Sequence, residues 1–180
     1  MSSQRILIVA NIWPEPSSSA AGTRMMQLIR FFKSKNAQVI FGCTSHPSDF
    51  LENLDVLGVE SKAIVLNSNT FDEFILEYQP TTVVFDRFNT EEQFGWRVMQ
   101  HCPKALRILN TEDLHFLRNT RHKATQQGIT LDLHDRKSLN SKQTLREISS
   151  IYRSDLSLFV SETEMELLKS FLNLYEAADV

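Results

Sequence analysis

Two cysteines are all the chain carries among its 180 residues. Cys43 and Cys102 stand alone, with no C-x-x-C pair and no metal-ligand spacing around either. A reducing, cytoplasmic compartment is therefore the expected setting, and neither a metal nor another cofactor is expected. No run approaches the roughly 20 apolar residues of a membrane helix. The first apolar run, Arg5–Ala10, is too short for a signal-peptide core, and no small-residue cleavage pattern follows it. Low-complexity tracts and internal repeats are missing too. With 42% hydrophobic residues, that points to one compact domain rather than a disordered chain. A net charge of −3 gives no reason to expect nucleic-acid binding. Neither G-x-G-x-x-G nor G-x-x-x-x-G-K-[ST] occurs, which disfavours a standard dinucleotide dehydrogenase and a P-loop enzyme.

The charge that is present is uneven. Arg97 to Arg153 holds 11 Lys and Arg against 5 Asp and Glu, a local +6 in an otherwise acidic chain. Such a segment suits an anionic ligand or an anionic membrane surface, or is simply a set of solvated helix faces.

Apolar runs alternate with helical patterns. Strands are expected at Arg5–Ala10, Gln38–Cys43, Ala63–Leu66, Thr82–Asp86, Ala105–Asn110 and Leu156–Val160. Helices are expected over Arg24–Asn36, from Thr70 to Pro80, from Thr90 to His101, over Leu114–Gln127 and Ser141–Arg153, and after Ser161. Thr70 with Glu73, Thr90 with Gln93, and Ser161 with Glu164 have capping-box spacing. Gly128–Arg136 is polar and irregular, the expected mobile stretch. Strands separated by helices imply a Rossmann-like, doubly wound parallel α/β sheet with helices on both faces. In such sheets ligands sit beyond the carboxyl ends of the strands.

Three segments there can carry chemistry. After the first strand, Asn11 to Arg24 is longer than most βα connections. Its small residues Ser17 to Gly22 allow close backbone approach at a helix N-terminus. Trp13 in this loop can stack on a sugar or base, or pack on a helix. After Thr82–Asp86 come Asp86-Arg87-Phe88-Asn89, where Asp86 either caps a turn or bonds a ligand hydroxyl. After Ala105–Asn110 come Glu112, Asp113, His115, Arg118 and Arg121. Asp113 there can hold a sugar hydroxyl, orient a base or cap the helix. Arg118 and Arg121 share a helix face and can clamp a phosphate or stand in solvent. Asp113 and His115 lack further ligands at metal-binding spacing. Asp132, His134 and Asp135 read as a solvated loop.

Four segments together resemble the N-terminal domain of bacterial GT-B glycosyltransferases of the retaining, glycosyltransferase-4-like group: RILIVANIWPEPSSSAAGTR, VVFDRFNTEEQFGWRV, LRILNTEDLHFLRNTR and REISSIYRSDLSLFVSETEMELL. The resemblance covers nearly the whole chain, 1–180. It implies an acceptor-binding lobe whose donor-binding C-terminal lobe is absent, inactive alone, that serves transfer of a sugar from a nucleotide-sugar donor to a hydroxyl of a glycan or lipid-linked acceptor. Peripheral membrane contact is compatible with such an acceptor. By the resemblance, Ser18, Ser19, Gly22 and Arg24 would face the donor phosphates, and the loop Asn11–Gly22 would be mobile without its partner lobe. Trp13, Asp86, Arg87, Arg118 and Arg121 would meet the acceptor, and Asp113, His115 and Glu112 would be catalytic. Relatives carry Asp-x-His-Asp-Leu-His where this chain has Asn110-Thr111-Glu112-Asp113-Leu114-His115. Asp113, Leu114 and His115 match, whereas Asn110 and Glu112 depart, so either Glu112 takes over a polar role or the chemistry is altered. A non-catalytic binding module of the same fold and one lobe of a sugar-nucleotide epimerase are the alternatives.

Overall fold

The computed structural model describes residues 4–47, 52–132 and 139–176. Six parallel strands form one sheet in the order β3-β2-β1-β4-β5-β6. They are β1 (Arg5–Ala10), β2 (Gln38–Cys43), β3 (Glu60–Ala63), β4 (Thr82–Asp86), β5 (Leu106–Glu112) and β6 (Leu156–Phe159). The helices are α1 (Ala20–Ser34), α2 (Thr70–Tyr78), α3 (Phe88–His101), α4 (His115–Gln127), α5 (Lys142–Arg153) and α6 (Glu162–Glu176), with a short 3₁₀ turn at Leu54–Leu57. The chain has the expected Rossmann-like α/β fold.

β1 shows why. Its side chains alternate with period two, but both faces are apolar. Ile6, Ile8 and Ala10 join Met25, Met26, Ile29 and Phe41 in the core under α1. Leu7 and Val9 join Phe71, Ile75, Val83, Phe94 and Val98 in the core under α2 and α3. A third, smaller core of Leu114, Phe116, Leu117, Ile148, Leu168 and Phe171 joins α4, α5 and α6. β1 pairs with β2 on one side and β4 on the other. The loops leaving β1 and β4 therefore diverge, and a crevice opens between them.

Several boundaries differ from expectation, each for a local reason. α1 begins at Ala20 rather than Arg24, because Ser19 caps it by accepting the Gly22 N–H at 3.0 Å. β3 is polar Glu60–Ala63 rather than Ala63–Leu66, because it pairs with Ile40–Cys43 and β2 ends there. Thr70 and Thr90 are not caps. α2 is led by Asn69 and Ser68, while Thr90 lies inside α3 and donates to the carbonyls of Asp86 and Arg87, both at 2.9 Å. Ser161 does cap, accepting the Glu164 N–H at 3.2 Å. His134 and Asp135 lie outside the described residues, as do residues 133–136 of the stretch expected to be mobile.

The β1–α1 loop is fastened rather than loose. The Trp13 indole N–H donates to the Ser45 carbonyl at 2.8 Å, and Thr44 Oγ1 donates to Asn11 Oδ1 at 3.0 Å. The Ser18 and Ser19 amides both donate to the Glu15 carbonyl. Gly22 sits against that turn, and a Cβ built on it would lie 2.5 Å from the Glu15 backbone. Gly22→Ala is predicted to cost about 1–3 kcal/mol through overpacking against unyielding backbone, outweighing alanine's helix gain of at most about 1 kcal/mol. Chemical denaturation of the two proteins checks it, and an unchanged or more stable variant would show that the loop yields freely.

Candidate functional site

β4 passes into α3 through a single residue. Asp86 ends the strand, Phe88 starts the helix, and Arg87 between them has φ 72° and ψ 159°. Only glycine adopts that region without strain, and a side chain there typically costs about 1–3 kcal/mol. The elbow is held from three sides. The Arg87 N–H donates to the Asn110 carbonyl of β5 at 2.8 Å, and the Thr90 hydroxyl pins the carbonyls on either side of the bend.

Beside the elbow, Asn110 is fully buried and its side chain is the hub of a polar network. Its Nδ2 donates to Asp86 Oδ1 at 3.1 Å and to Glu112 Oε1 at 2.9 Å. Its Oδ1 accepts from Arg24 Nε of α1 at 3.2 Å. Arg24 also stands 3.6 Å from Glu112. Glu112 lies at a bulge between β5 and β6 and is itself left-handed, with φ 61°. Bulges of this kind re-aim a side chain next to functional sites.

Asp86 is only 8% exposed. It lines a crevice of about 30 Å³ with Arg87, Trp13, Ser19, Gly22 and Met25. That exceeds the roughly 10–15 Å³ needed by one water-sized group. Oδ1 of Asp86 is taken by Asn110, and among the described residues Oδ2 has no hydrogen-bond partner. Burial pushes the Asp86 carboxyl above its ordinary range, opposed by the Arg87 charge and the Asn110 bond. Burial also raises Glu112, the Asn110 bond opposes it, and the nearby Asp86 charge adds to the rise. Raised carboxyls hold their protons more tightly in the folded state. Their contribution to stability is present below the unfolded pKa of about 4 and is lost as pH rises through the raised folded value.

The residues read as one constellation after β5 divide in two. Glu112 belongs to the Asn110 network beside the crevice. Asp113, His115, Arg118 and Arg121 instead build the start of α4. Glu147 of α5 is 1% exposed and accepts the N–H groups of His115 and Phe116 at 3.0 and 2.9 Å. Glu164 of α6 accepts the Leu114 N–H at 3.0 Å. Carboxylates thus occupy the helix terminus that an anion would need. Arg118 pairs with Asp113 at 2.9 Å and Arg121 with Glu164 at 3.6 Å, so both arginines of the expected phosphate clamp already have carboxylate partners on the surface. His115 packs edge-on against Phe88, with Nδ1 3.6 Å from both Asp113 and Glu147.

The phosphate-facing loop is corrected as well. Ser18 and Ser19 bond the Glu15 turn, Ser19 caps α1, and Gly22 is a packing contact. Trp13 is buried, tilted against Phe41 at 5.5 Å, and serves to pin the loop. Arg24, Asp86, Arg87 and Glu112 are the candidates that the fold does bring together. Asn110 and Glu147 were missed. The signal for Glu147 was a carboxylate on the apolar side of α5, between Thr144 and Ile148. Among the described residues no group of three His, Cys, Asp or Glu could hold a metal ion, and no helix is long and apolar enough to cross a membrane.

No family model matches the chain, and no curated protein matches it. Among solved structures, "Shewanella denitrificans Kef CTD in AMP bound form" is similar at 11% identity and a TM-score of 0.42, over 93% of this chain and 99% of that one. The expected glycosyltransferase half is corrected by this finding: the similar structure is a Kef C-terminal domain in an AMP-bound form, not a glycosyltransferase.

Glu147→Ala is predicted to cost about 2–4 kcal/mol, because two buried N–H groups lose a charged acceptor. Glu147→Gln, which keeps one acceptor, should cost less. Equilibrium unfolding in urea ranks the three proteins, and equal stability of wild type and Glu147→Ala would refute the capping role.

Proposed function

We propose that this chain is a binding domain that takes a small polyhydroxylated ligand, of the sugar or nucleoside kind, at the crevice between β1 and β4. One observation carries the reading. The Asp86 carboxylate is buried at the switch point of the sheet and lines the crevice, and only one of its oxygens has a hydrogen-bond partner among the described residues, the Asn110 amide. A largely desolvated carboxylate gains a charge-assisted hydrogen bond from any further donor that reaches it. A ligand hydroxyl does so, and the crevice admits one such group while the rest of the ligand lies over Arg24, Arg87 and Glu112.

A binding role fits better than catalysis. The Ser19 hydroxyl at the crevice is committed, donating to the Glu15 carbonyl and accepting from Gly22. Burial raises the Cys43 thiol, away from the reactive thiolate. No described side chain in the crevice is a nucleophile set against a base.

Calorimetric titration with adenosine and with ribose tests the reading. Asp86→Asn is predicted to weaken binding at least about tenfold, the loss of a charge-assisted hydrogen bond. Its melting temperature relative to wild type should climb between pH 4 and pH 7, because the variant lacks the burial penalty of an ionised Asp86. Unchanged affinity in the variant, or no binding by the wild-type protein, would refute the proposal.

A further inference from the structure

We infer that Arg87, on its strained elbow, is an anion clamp that adds a phosphate group to the ligand recognised by this crevice. The inference rests on the crevice being the ligand site, and it extends the ligand from a sugar or nucleoside to its phosphate ester.

Three independent features converge. The first is the guanidinium. Arg87 lines the crevice, and among the described residues its side chain has neither an ion pair nor a hydrogen bond. Most neighbouring arginines differ: Arg97 stands on Asp72, Arg118 on Asp113, Arg121 on Glu164 and Arg153 on Glu91. The second is α3. It has 14 residues, and its N-terminus opens at the elbow without a side-chain cap. α4, by contrast, has carboxylates on its first amides. The positive end of α3 is thus aimed where Arg87 is presented. The third is Asp86, nine-tenths buried, which lines the same crevice and has the Asn110 amide as its one hydrogen-bond partner among the described residues. It supplies the hydroxyl-binding half that a phosphate ester needs beside its anionic half.

The backbone explains how these are assembled. A longer connection could place an arginine near the crevice without strain, but would leave it flexible. One residue between strand and helix fixes where the side chain leaves the chain, at the cost of a conformation suited to glycine. Glycine at this position would relax the elbow and remove the clamp together. A purely structural arginine would behave oppositely, since its removal would destabilise the fold.

The charges facing the site are Arg24 from α1, Glu112 from β5 and His115 from α4, besides Asp86 itself. Arg24 is already committed to Asn110 and Glu112. The uncommitted positive charge is that of Arg87.

The test compares wild type, Arg87→Gly, Arg87→Lys and Asp86→Asn by thermal melting and calorimetry with inorganic phosphate, ribose and ribose 5-phosphate. Wild type should bind ribose 5-phosphate at least about tenfold more tightly than ribose and should also be stabilised by inorganic phosphate. Arg87→Gly without ligand should melt about 2–8 °C higher than wild type. It should lose the response to inorganic phosphate and the preference for the phosphate ester, while binding of ribose persists. Arg87→Lys should keep part of the response. The clamp is overturned if Arg87→Gly melts at or below wild type, if it still responds to phosphate, or if wild type binds ribose and its phosphate equally. Failure of the crevice itself looks different: Asp86→Asn would then bind ribose 5-phosphate as wild type does, or ribose would bind to neither protein.

Discussion

The side-chain amide of Asn110 ties the switch point together. It is fully buried, and it is bonded to β4 through Asp86, to the bulge of β5 through Glu112 and to α1 through Arg24. The backbone carbonyl of the same residue accepts the Arg87 N–H. Two acidic groups can stay close in a buried place only if a donor stands between them. The single NH₂ group of Asn110 is that donor. An aspartate at position 110 would bring a third carboxylate and remove that donor.

From this hub the division of labour follows. Acidic and basic groups at the carboxyl edge fall into two sets that lie side by side but do different things. At the start of α4, Asp113, Arg118 and Arg121 are paired and the first amides are closed by Glu147 and Glu164. Around the elbow, Asp86 keeps an open oxygen and Arg87 an open guanidinium. Satisfied networks rigidify a fold, and unsatisfied ones mark places where something else is to bind. The strain at Arg87 and Glu112 belongs to the second set.

Much of the architecture was legible in the sequence, because the strands carry strong signals. β1, β2 and β4 are short apolar runs buried on both faces, and their limits follow from composition alone. β3 was misplaced because an edge strand can be polar and because its extent is set by its partner β2. Helix starts were read from capping spacing, which fails where a strand turns sharply into a helix, as at Arg87. The site was legible in part. Asp86, Arg87, Glu112 and Arg24 are polar residues beside strand ends or a helix start, where the fold directs attention. Asp113, His115, Arg118 and Arg121 met the same criterion, and only tertiary structure shows that Glu147 and Glu164, from helices far along the chain, occupy them. The family resemblance led to an enzyme half that the comparisons do not uphold.

The protonation of Asp86 reports most directly on whether this crevice is a ligand site. Carbon-13 NMR of its side-chain carboxyl, followed through a pH titration with and without saturating ribose, measures it. In the free protein the group should titrate above the ordinary aspartate value of about 3.9, and the ligand should lower that midpoint by donating a hydrogen bond to the ionised form. A carboxyl that titrates normally, or whose midpoint the ligand leaves in place, would contradict the account.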